Sequence, residues 1–166
     1  LPARAGQGIP RSKISQAMRV AIASDHGGFE LKKGLVDFLR QRDVEVVDLG
    51  NQGTESVDYP DYAVKVAEMV STGAADAGIL MCGTGIGMSI VANKFKNVRA
   101  AVVTDDYTAR MSKEHNHANV LCLGGRVQQP KLARELVRIW LEAPHEGGRH
   151  QRRLEKIAEI EKKNLR

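Results

Sequence analysis

Five short apolar runs alternate with amphipathic stretches along most of the 166-residue chain. This alternation is typical of βαβ units, in which crossover helices join parallel strands and cover both faces of the sheet. We therefore predict a three-layer α/β/α sandwich with a five-stranded parallel sheet of Rossmann-like type and an extra C-terminal helix. The predicted strands are 19–24, 44–49, 77–81, 99–103 and 120–123, and the predicted helices are 29–42, 61–73, 87–95, 106–116 and 130–142.

A single domain is predicted for residues 18–166, because no linker, internal repeat or low-complexity segment interrupts the alternation. Residues 1–17 are rich in Gly, Pro, Ser and Arg and show no periodicity. For them we predict a disordered extension or a remnant of cloning that precedes a native start at Met18. A basic, acid-free leader also fits an organelle transit peptide, which is the alternative.

The formal net charge of +5 would indicate a polyanionic partner if the basic residues formed one patch on the folded body. Residues 18–144 carry 15 Lys and Arg against 16 Asp and Glu, so the body is nearly neutral and the excess lies at the two ends. Aromatic residues, which stack on single-stranded bases, are not interleaved with the basic ones. We therefore predict no nucleic-acid partner.

No apolar run approaches the roughly 20 residues needed to span a bilayer, so we predict no membrane association. Two cysteines, Cys82 and Cys122, are too few for a disulfide scaffold. Their low number is typical of a reducing compartment. We therefore predict a cytoplasmic protein.

The first predicted strand is followed by Asp25, His26, Gly27 and Gly28. In an open parallel sheet the ligand site lies at the carboxyl ends of the strands, which is where this segment falls. A carboxylate beside an imidazole can transfer protons or, with the glycine backbone, hold an anion at a helix start. The alternative is that Asp25 only caps the helix and His26 is an exposed loop residue.

The third predicted strand runs into the glycine loop, 82–87, whose alternate glycines leave backbone N–H groups open to an oxyanion or a phosphate. The loop lacks the Gly-Lys-Ser/Thr ending of a Walker A motif. It also lacks the third glycine of a dinucleotide fingerprint, since Met88 holds that position. Asp105, about 20 residues further on, is the one feature that favours a nucleotide-binding or NAD-binding module.

Cys82 begins the glycine loop, in a setting where a helix dipole favours the thiolate and where Thr84 offers a hydroxyl. A thiolate base next to an oxyanion-binding loop is what proton abstraction beside a carbonyl requires. Cys122 falls inside an apolar strand and is interpreted as a core residue. A thiol-redox protein is the alternative for Cys82, although no Cys-x-x-Cys partner accompanies it.

Two histidines, His115 and His117, lie at the end of the fourth amphipathic stretch, and either one alone is interpreted as a cation that favourably ends a helix. A zinc site needs three or four ligands. The other candidate ligands, Cys82 and His26, are better explained by anion binding. We therefore predict no metal site.

Arginines follow the last strand and open the C-terminal segment. Arg126 comes directly after the fifth strand. Arg149 and Arg153 are four residues apart, so on a helix they share one face and can bind one phosphate together. The alternative is a basic terminal helix that is only solvated or faces a partner.

Six segments together resemble the type B ribose-5-phosphate isomerases in order and spacing, across residues 18–162. They are 25–28, 58–63, 82–87, 92–94, 115–116 and 147–150. The resemblance implies an aldose–ketose isomerase that interconverts D-ribose 5-phosphate and D-ribulose 5-phosphate through a cis-enediolate, in the non-oxidative pentose phosphate pathway, without cofactor, metal or nucleotide. It also implies a homodimer or tetramer whose active sites are shared between subunits.

The resemblance assigns roles to individual residues, all expectations at this point. Cys82 matches the base that moves a proton between C2 and C1. Asp25 and His115 match the residues that assist opening of the furanose ring, with His115 as proton donor and Asn116 beside it. The positions that match enediolate stabilisation are Gly83, Thr84, Gly85, Ile86 and Gly87, and those that match sugar and phosphate binding are His26, Arg126, Arg149 and Arg153.

One departure within the family bears on the base. Some members lack the cysteine and carry a glutamate just after the glycine loop, where this chain has Met88. The cysteine-base variant is therefore predicted. The resemblance extends, less well, to isomerases of six-carbon sugar phosphates such as allose 6-phosphate or galactose 6-phosphate, which remain the alternative substrates.

Overall fold

The computed structural model describes residues 17–165, so the extension predicted for residues 1–17 lies, except for Ala17, outside the described residues. Five strands and six helices alternate in the predicted order, with a short 3₁₀ turn at His26–Gly28. The strands are β1 (Met18–Ser24), β2 (Val44–Asp48), β3 (Ala77–Cys82), β4 (Ala100–Val102) and β5 (Val120–Gly124). The helices are α1 (Phe29–Arg40), α2 (Tyr59–Ser71), α3 (Ile86–Ala92), α4 (Asp106–Glu114), α5 (Pro130–Glu142) and α6 (Arg149–Asn164).

The sheet is parallel throughout, with strand order β2-β1-β3-β5-β4. The predicted fold class is confirmed, including the extra C-terminal helix α6. The chain builds outward from β1 to β2 and then returns to add β3 on the other side of β1. The carboxyl ends of β1 and β3 therefore flank the switch point of the sheet, where open α/β proteins bind their ligands.

The hydrophobic core is divided into two clusters, one on each face of the sheet. Alternate residues of β1 show the division: Val20 and Ile22 belong to the cluster under α1 and α5, and Ala21 and Ala23 to the cluster under α2 and α3. This period of two places helices on both faces, as the three-layer prediction requires. Within residues 17–165, none of the helices combines the length and the apolar character that crossing a membrane requires.

Several helix ends differ from the predicted ones by one to three residues, and two of them have a clear structural cause. Helix α2 begins at Tyr59 rather than at residue 61, because Asp58 is extended and Pro60 suits the first turn of a helix. Helix α3 ends at Ala92 rather than at residue 95. Its C-cap, Asn93, exchanges two hydrogen bonds with the backbone of Ala100, at 2.8 and 3.0 Å, which tie the end of α3 to the start of β4.

A buried lysine anchors α1 to the carboxyl end of β2. Lys32 is 1% exposed, and its Nζ donates to Asp48 Oδ1 and to the carbonyl oxygen of Asn51, both at 2.7 Å. Replacing Lys32 with methionine keeps the length but removes both hydrogen bonds, so among the described residues Asp48 Oδ1 keeps only the N–H of Gly50 at 3.0 Å. We expect the free energy of unfolding to fall by about 3 kcal/mol in urea denaturation. The control is Lys33→Met on the exposed side of α1, where the change should stay within about 0.5 kcal/mol; equal losses in both variants would contradict the assignment.

Candidate active site

The loops after β1, β3 and β5 meet at the carboxyl edge of the sheet. Ser24 lies opposite Met81 in the β1–β3 pair, and Cys82 lies opposite Gly124 in the β3–β5 pair. Backbone hydrogen bonds extend this register past the strand ends, from Asp25 N–H to Met81 O (3.1 Å), from Gly125 N–H to Cys82 O (2.8 Å) and from Arg126 N–H to Gly83 O (3.0 Å). We call Asp25, His26, residues 82–87 and Arg126 the carboxyl-edge cluster.

The thiol of Cys82 lies under the glycine loop and is 6% exposed. The backbone N–H of Gly85 donates to Cys82 Sγ at 3.1 Å. Gly85 has a φ of +82°, a conformation that a residue with a side chain rarely adopts, and this turn brings its N–H to the sulfur. The sulfur therefore has a backbone donor from the glycine loop as its partner.

The second cysteine lies in a different setting. Cys122 is fully buried in the core inside β5, and burial raises the pKa of its thiol far above the usual range. The interpretation of Cys122 as a core residue is confirmed. Both cysteines are free thiols.

Asp25 and His26 are both fixed by backbone N–H groups. Asp25 Oδ1 accepts from Gly27 N–H at 2.8 Å and from Gly28 N–H at 3.2 Å, so Asp25 does cap the 3₁₀ turn. Within residues 17–165, its other oxygen, Oδ2, has no such partner and can still accept a proton. His26 Nδ1 accepts from Val57 N–H at 3.2 Å, which assigns the proton of the neutral ring to Nε2 and makes that atom a donor.

The mouth of the glycine loop is formed by Thr84, Arg126 and Tyr59. Thr84 is exposed, and its hydroxyl accepts from Ile86 N–H at 3.2 Å. Arg126 covers Gly83 so closely that a Cβ built there would be 3.1 Å from Nη1 of the guanidinium. The ring of Tyr59 covers Gly87 in the same way, at 2.6 Å from such a Cβ. Sequence reasoning gave Tyr59 no role, although it belongs to one of the six resembling segments.

The closest backbone approach in this cluster is at Gly125. A Cβ built on Gly125 would be 2.2 Å from the carbonyl oxygen of Gly27, so Gly125→Ala must push the β1 and β5 loops apart. We expect at least a tenfold loss of kcat/KM for the reaction catalysed at this site, because a shift of about 1 Å in a site can cost 10²-fold. The control is Gly34→Ala in α1, where the added methyl meets nothing and kcat/KM should stay unchanged. Wild-type kcat/KM in Gly125→Ala would mean that the loop contact is not needed.

The side chains of Met88 and Asp105 both have structural roles. Met88 is fully buried in the same core cluster as Cys82, so no carboxylate stands at the position of the alternative base. Asp105, the one feature in favour of nucleotide binding, forms a capping box at the start of α4: its carboxylate accepts from Thr108 N–H at 2.7 Å. The helix cap explains this aspartate, so Asp105 no longer favours nucleotide binding.

His115, Asn116, Arg149 and Arg153 lie at the opposite edge, and we call them the amino-edge cluster. Helix α4 starts beyond the carboxyl end of β4 and runs back, so its C-cap His115 precedes the start of β5. The carbonyl of Asn119 accepts from Gly78 N–H, at the start of β3, at 2.8 Å. Cys82 is the sixth and last residue of β3, so five residue steps, or about 17 Å, separate it from that edge. One chain therefore cannot bring His115 to Cys82.

The start of α6 packs against the end of α4. Glu146 N–H donates to the carbonyl of Glu114 at 3.0 Å, and the rings of His115 and His150 stack with centroids 4.0 Å apart. Desolvation, followed by the neighbouring His115, lowers the pKa of His150. The side chains of Arg149 and Arg153 are exposed on the same helix.

His117 follows α4 with a φ of +46°, which agrees with its interpretation as a helix-end residue. Its ring stacks on His145 at 4.6 Å. Sequence reasoning gave no role to His145, Glu146 or His150, because their contacts with residues 114–117 join segments that lie about 30 residues apart.

Comparison with known proteins gives a consistent result. The family model for ribose/galactose isomerases matches residues 20–157. Ribose-5-phosphate isomerase B of Escherichia coli (strain K12) is 49% identical over 145 residues, which are 87% of this chain and 97% of that protein.

Two solved structures are similar over almost their whole length. Ribose-5-phosphate isomerase B of Clostridium thermocellum is 56% identical, with a TM-score of 0.86 over 88% of this chain and 99% of that chain. The enzyme of the same name from Mycoplasma genitalium, solved with bound ribulose-5-phosphate, is 43% identical, with a TM-score of 0.87 over 90% of this chain and 100% of that chain.

Proposed function

This chain belongs to the ribose/galactose isomerase family, and on that basis we propose that it interconverts D-ribose 5-phosphate and D-ribulose 5-phosphate as an aldose–ketose isomerase. The observation that carries the proposal is the contact between Gly85 N–H and Cys82 Sγ at the switch point of the sheet. It joins the sulfur of the proposed base to a loop of backbone donors, which is the pair that enediolate chemistry needs.

The proton transfer uses the carboxyl-edge cluster. The Cys82 thiolate removes the proton from C2 of the open-chain aldose, and electrons of that C–H bond form the C1–C2 double bond while the C1 oxygen becomes negative. The N–H groups of residues 83–87 and the Thr84 hydroxyl stabilise the enediolate oxygens. Returning the proton to C1 and moving the C2 hydroxyl proton to the C1 oxygen gives the ketose and restores the thiolate.

Ring opening must precede this step, and it needs both clusters. The bond between C1 and the ring oxygen breaks, a proton leaves the C1 hydroxyl, and a proton is added to the ring oxygen. Asp25 is suited to accept the first proton because two N–H groups hold its Oδ1 in place and leave Oδ2 for the proton. His115 donates the second, with Asn116 beside it, and His115 comes from a second copy of the chain because one chain holds it at the opposite edge.

The same second copy supplies the phosphate site. Arg149 and Arg153 of one chain and His26 and Arg126 of the other surround the phosphate, so a homodimer, or a tetramer built from it, carries two shared sites. Supporting this arrangement, α3 follows the glycine loop and exposes two large apolar side chains, Ile86 and Ile90, at 55% and 57%.

The proposed base bears on location, and the proposed substrate pair bears on the pathway. Cys82 works only as a free thiol, which a reducing compartment maintains, and we place the reaction in the cytoplasm and in the non-oxidative pentose phosphate pathway.

Initial-rate assays on three sugar phosphates test the proposal. We expect kcat/KM for ribose 5-phosphate to exceed that for allose 6-phosphate and galactose 6-phosphate by about tenfold or more, because an extra carbon must fit a site shaped for five. Preference for a six-carbon substrate by the same factor would replace the proposed substrate, and no turnover of any of the three would reject the isomerase.

A further inference from the structure

Three side chains with metal-binding atoms converge where the end of α4 meets the start of α6. One possible ligand atom from each of His115, Glu146 and His150 lies within 4.8 Å of the other two. Glu146 Oε2 is 3.3 Å from His150 Nε2 and 3.9 Å from His115 Nε2. The carboxylate therefore faces both imidazole rings.

A second observation points to a missing ligand. Among the described residues, His150 Nε2 is a buried ring nitrogen without a hydrogen-bond partner, on a residue that is 5% exposed. Glu146 Oε2 is near it but off the line that a hydrogen bond requires. Buried polar atoms normally have a hydrogen-bond partner, so a buried ring nitrogen that lacks one and lies close to two other potential ligands is unusual.

The donor set selects a class of ion. Two imidazole nitrogens and one carboxylate oxygen suit Zn²⁺ and similar borderline divalent ions, which bind such atoms at about 2.0–2.2 Å. In a tetrahedral site two ligand atoms are about 3.3 Å apart, the separation already found between Glu146 and His150. His115 must move closer, and the stacked rings, 11° from parallel, must turn about a soft side-chain torsion.

We propose that His115, Glu146 and His150 form an inhibitory site for a divalent cation of the Zn²⁺ class. The ion is not a cofactor, because the proposed isomerisation uses no metal. Binding occupies His115 Nε2 and so removes the ring that donates the proton in ring opening. The inhibition rests on the proposed function, whereas the binding does not.

The binding test titrates the purified full-length protein with Zn²⁺ against a chromophoric chelator. Glu146→Gln and His150→Gln should each weaken Zn²⁺ binding about 100-fold, because each removes one of three ligands. Glu146 has an exposed side chain, so its replacement tests the site even if the buried His150 variant fails to fold. Unchanged Zn²⁺ affinity in Glu146→Gln overturns the proposal.

Two matched controls separate this site from other metal-binding side chains. His117→Asn removes a histidine of the neighbouring stacked pair at a positive φ that asparagine tolerates, and Zn²⁺ affinity should not change. Cys82→Ser removes the thiol at the other edge and should also leave it unchanged. Loss of Zn²⁺ binding in Cys82→Ser alone would place the ion on the thiol and contradict the proposal.

Inhibition is tested in a separate experiment from Zn²⁺ binding. Zn²⁺ should inhibit turnover of ribose 5-phosphate by the wild type, and EDTA should reverse the inhibition. In Glu146→Gln the Zn²⁺ concentration that gives half inhibition should rise about 100-fold. Zn²⁺ that binds through Glu146 without inhibiting an active enzyme would overturn the inhibitory role. Binding through Glu146 to a protein with no isomerase activity would support the metal site and reject the proposed function.

Discussion

Replacing Cys82 with alanine lowers kcat for ribose 5-phosphate by an expected factor of about 10³, because a positioned general base contributes about 10²–10⁴-fold. KM should stay within a few-fold, since Cys82 is 6% exposed and the residues proposed to bind the phosphate lie outside the glycine loop. The hydrogen bond from Gly85 N–H is lost with the sulfur, but the loop keeps its other backbone contacts to the β5 loop. Steady-state kinetics on the folded variant measure both constants.

Cys122→Ala is the matched control, because it removes the same thiol from a core position 40 residues along the chain. It should retain kcat and lose about 1 kcal/mol of stability from the small cavity. Near wild-type turnover in Cys82→Ala would reject Cys82 as the base. An equal loss of turnover in both variants would indicate damage to the sheet rather than to the chemistry.

The carboxyl-edge cluster could be predicted because it follows from local rules. Asp25 and Cys82 each come directly after an apolar run, and the carboxyl ends of parallel strands share one edge. The alternation of runs and amphipathic stretches was sufficient to predict the five strands and six α-helices that the structure describes, with ends that are correct or shifted by up to three residues. The largest of those errors, at the end of α3, arose because Asn93 bonds to Ala100, a tertiary contact with no periodic signal.

The amino-edge cluster could be predicted only in part. The spacing of Arg149 and Arg153 correctly indicated one helix, but strand order decides which edge that helix meets, and no local pattern encodes strand order. The stacking of His115 on His150 joins residues 35 positions apart. His150 and Glu146 therefore carried no signal until the fold brought them to the end of α4.

The separation of the two clusters leads to the second prediction. Cys82→Ala and the double variant His115→Ala/Arg149→Ala damage opposite edges of the chain, so each homodimer should be inactive at both sites. In a two-fold symmetric dimer each site takes one edge from each copy. A mixed dimer of the two variants therefore has one site with both defects and one site with none.

Isomerase activity after subunit exchange between these two variants tests the shared site most directly. Light scattering should first show that each variant is a dimer, and affinity tags should show that mixed dimers have formed. Random exchange makes half of the dimers mixed, and we predict recovery of about one quarter of the wild-type kcat with ribose 5-phosphate. Activity that stays at the sum of the two parents, although mixed dimers are present, would contradict an active site built from the carboxyl edge of one chain and the amino edge of another.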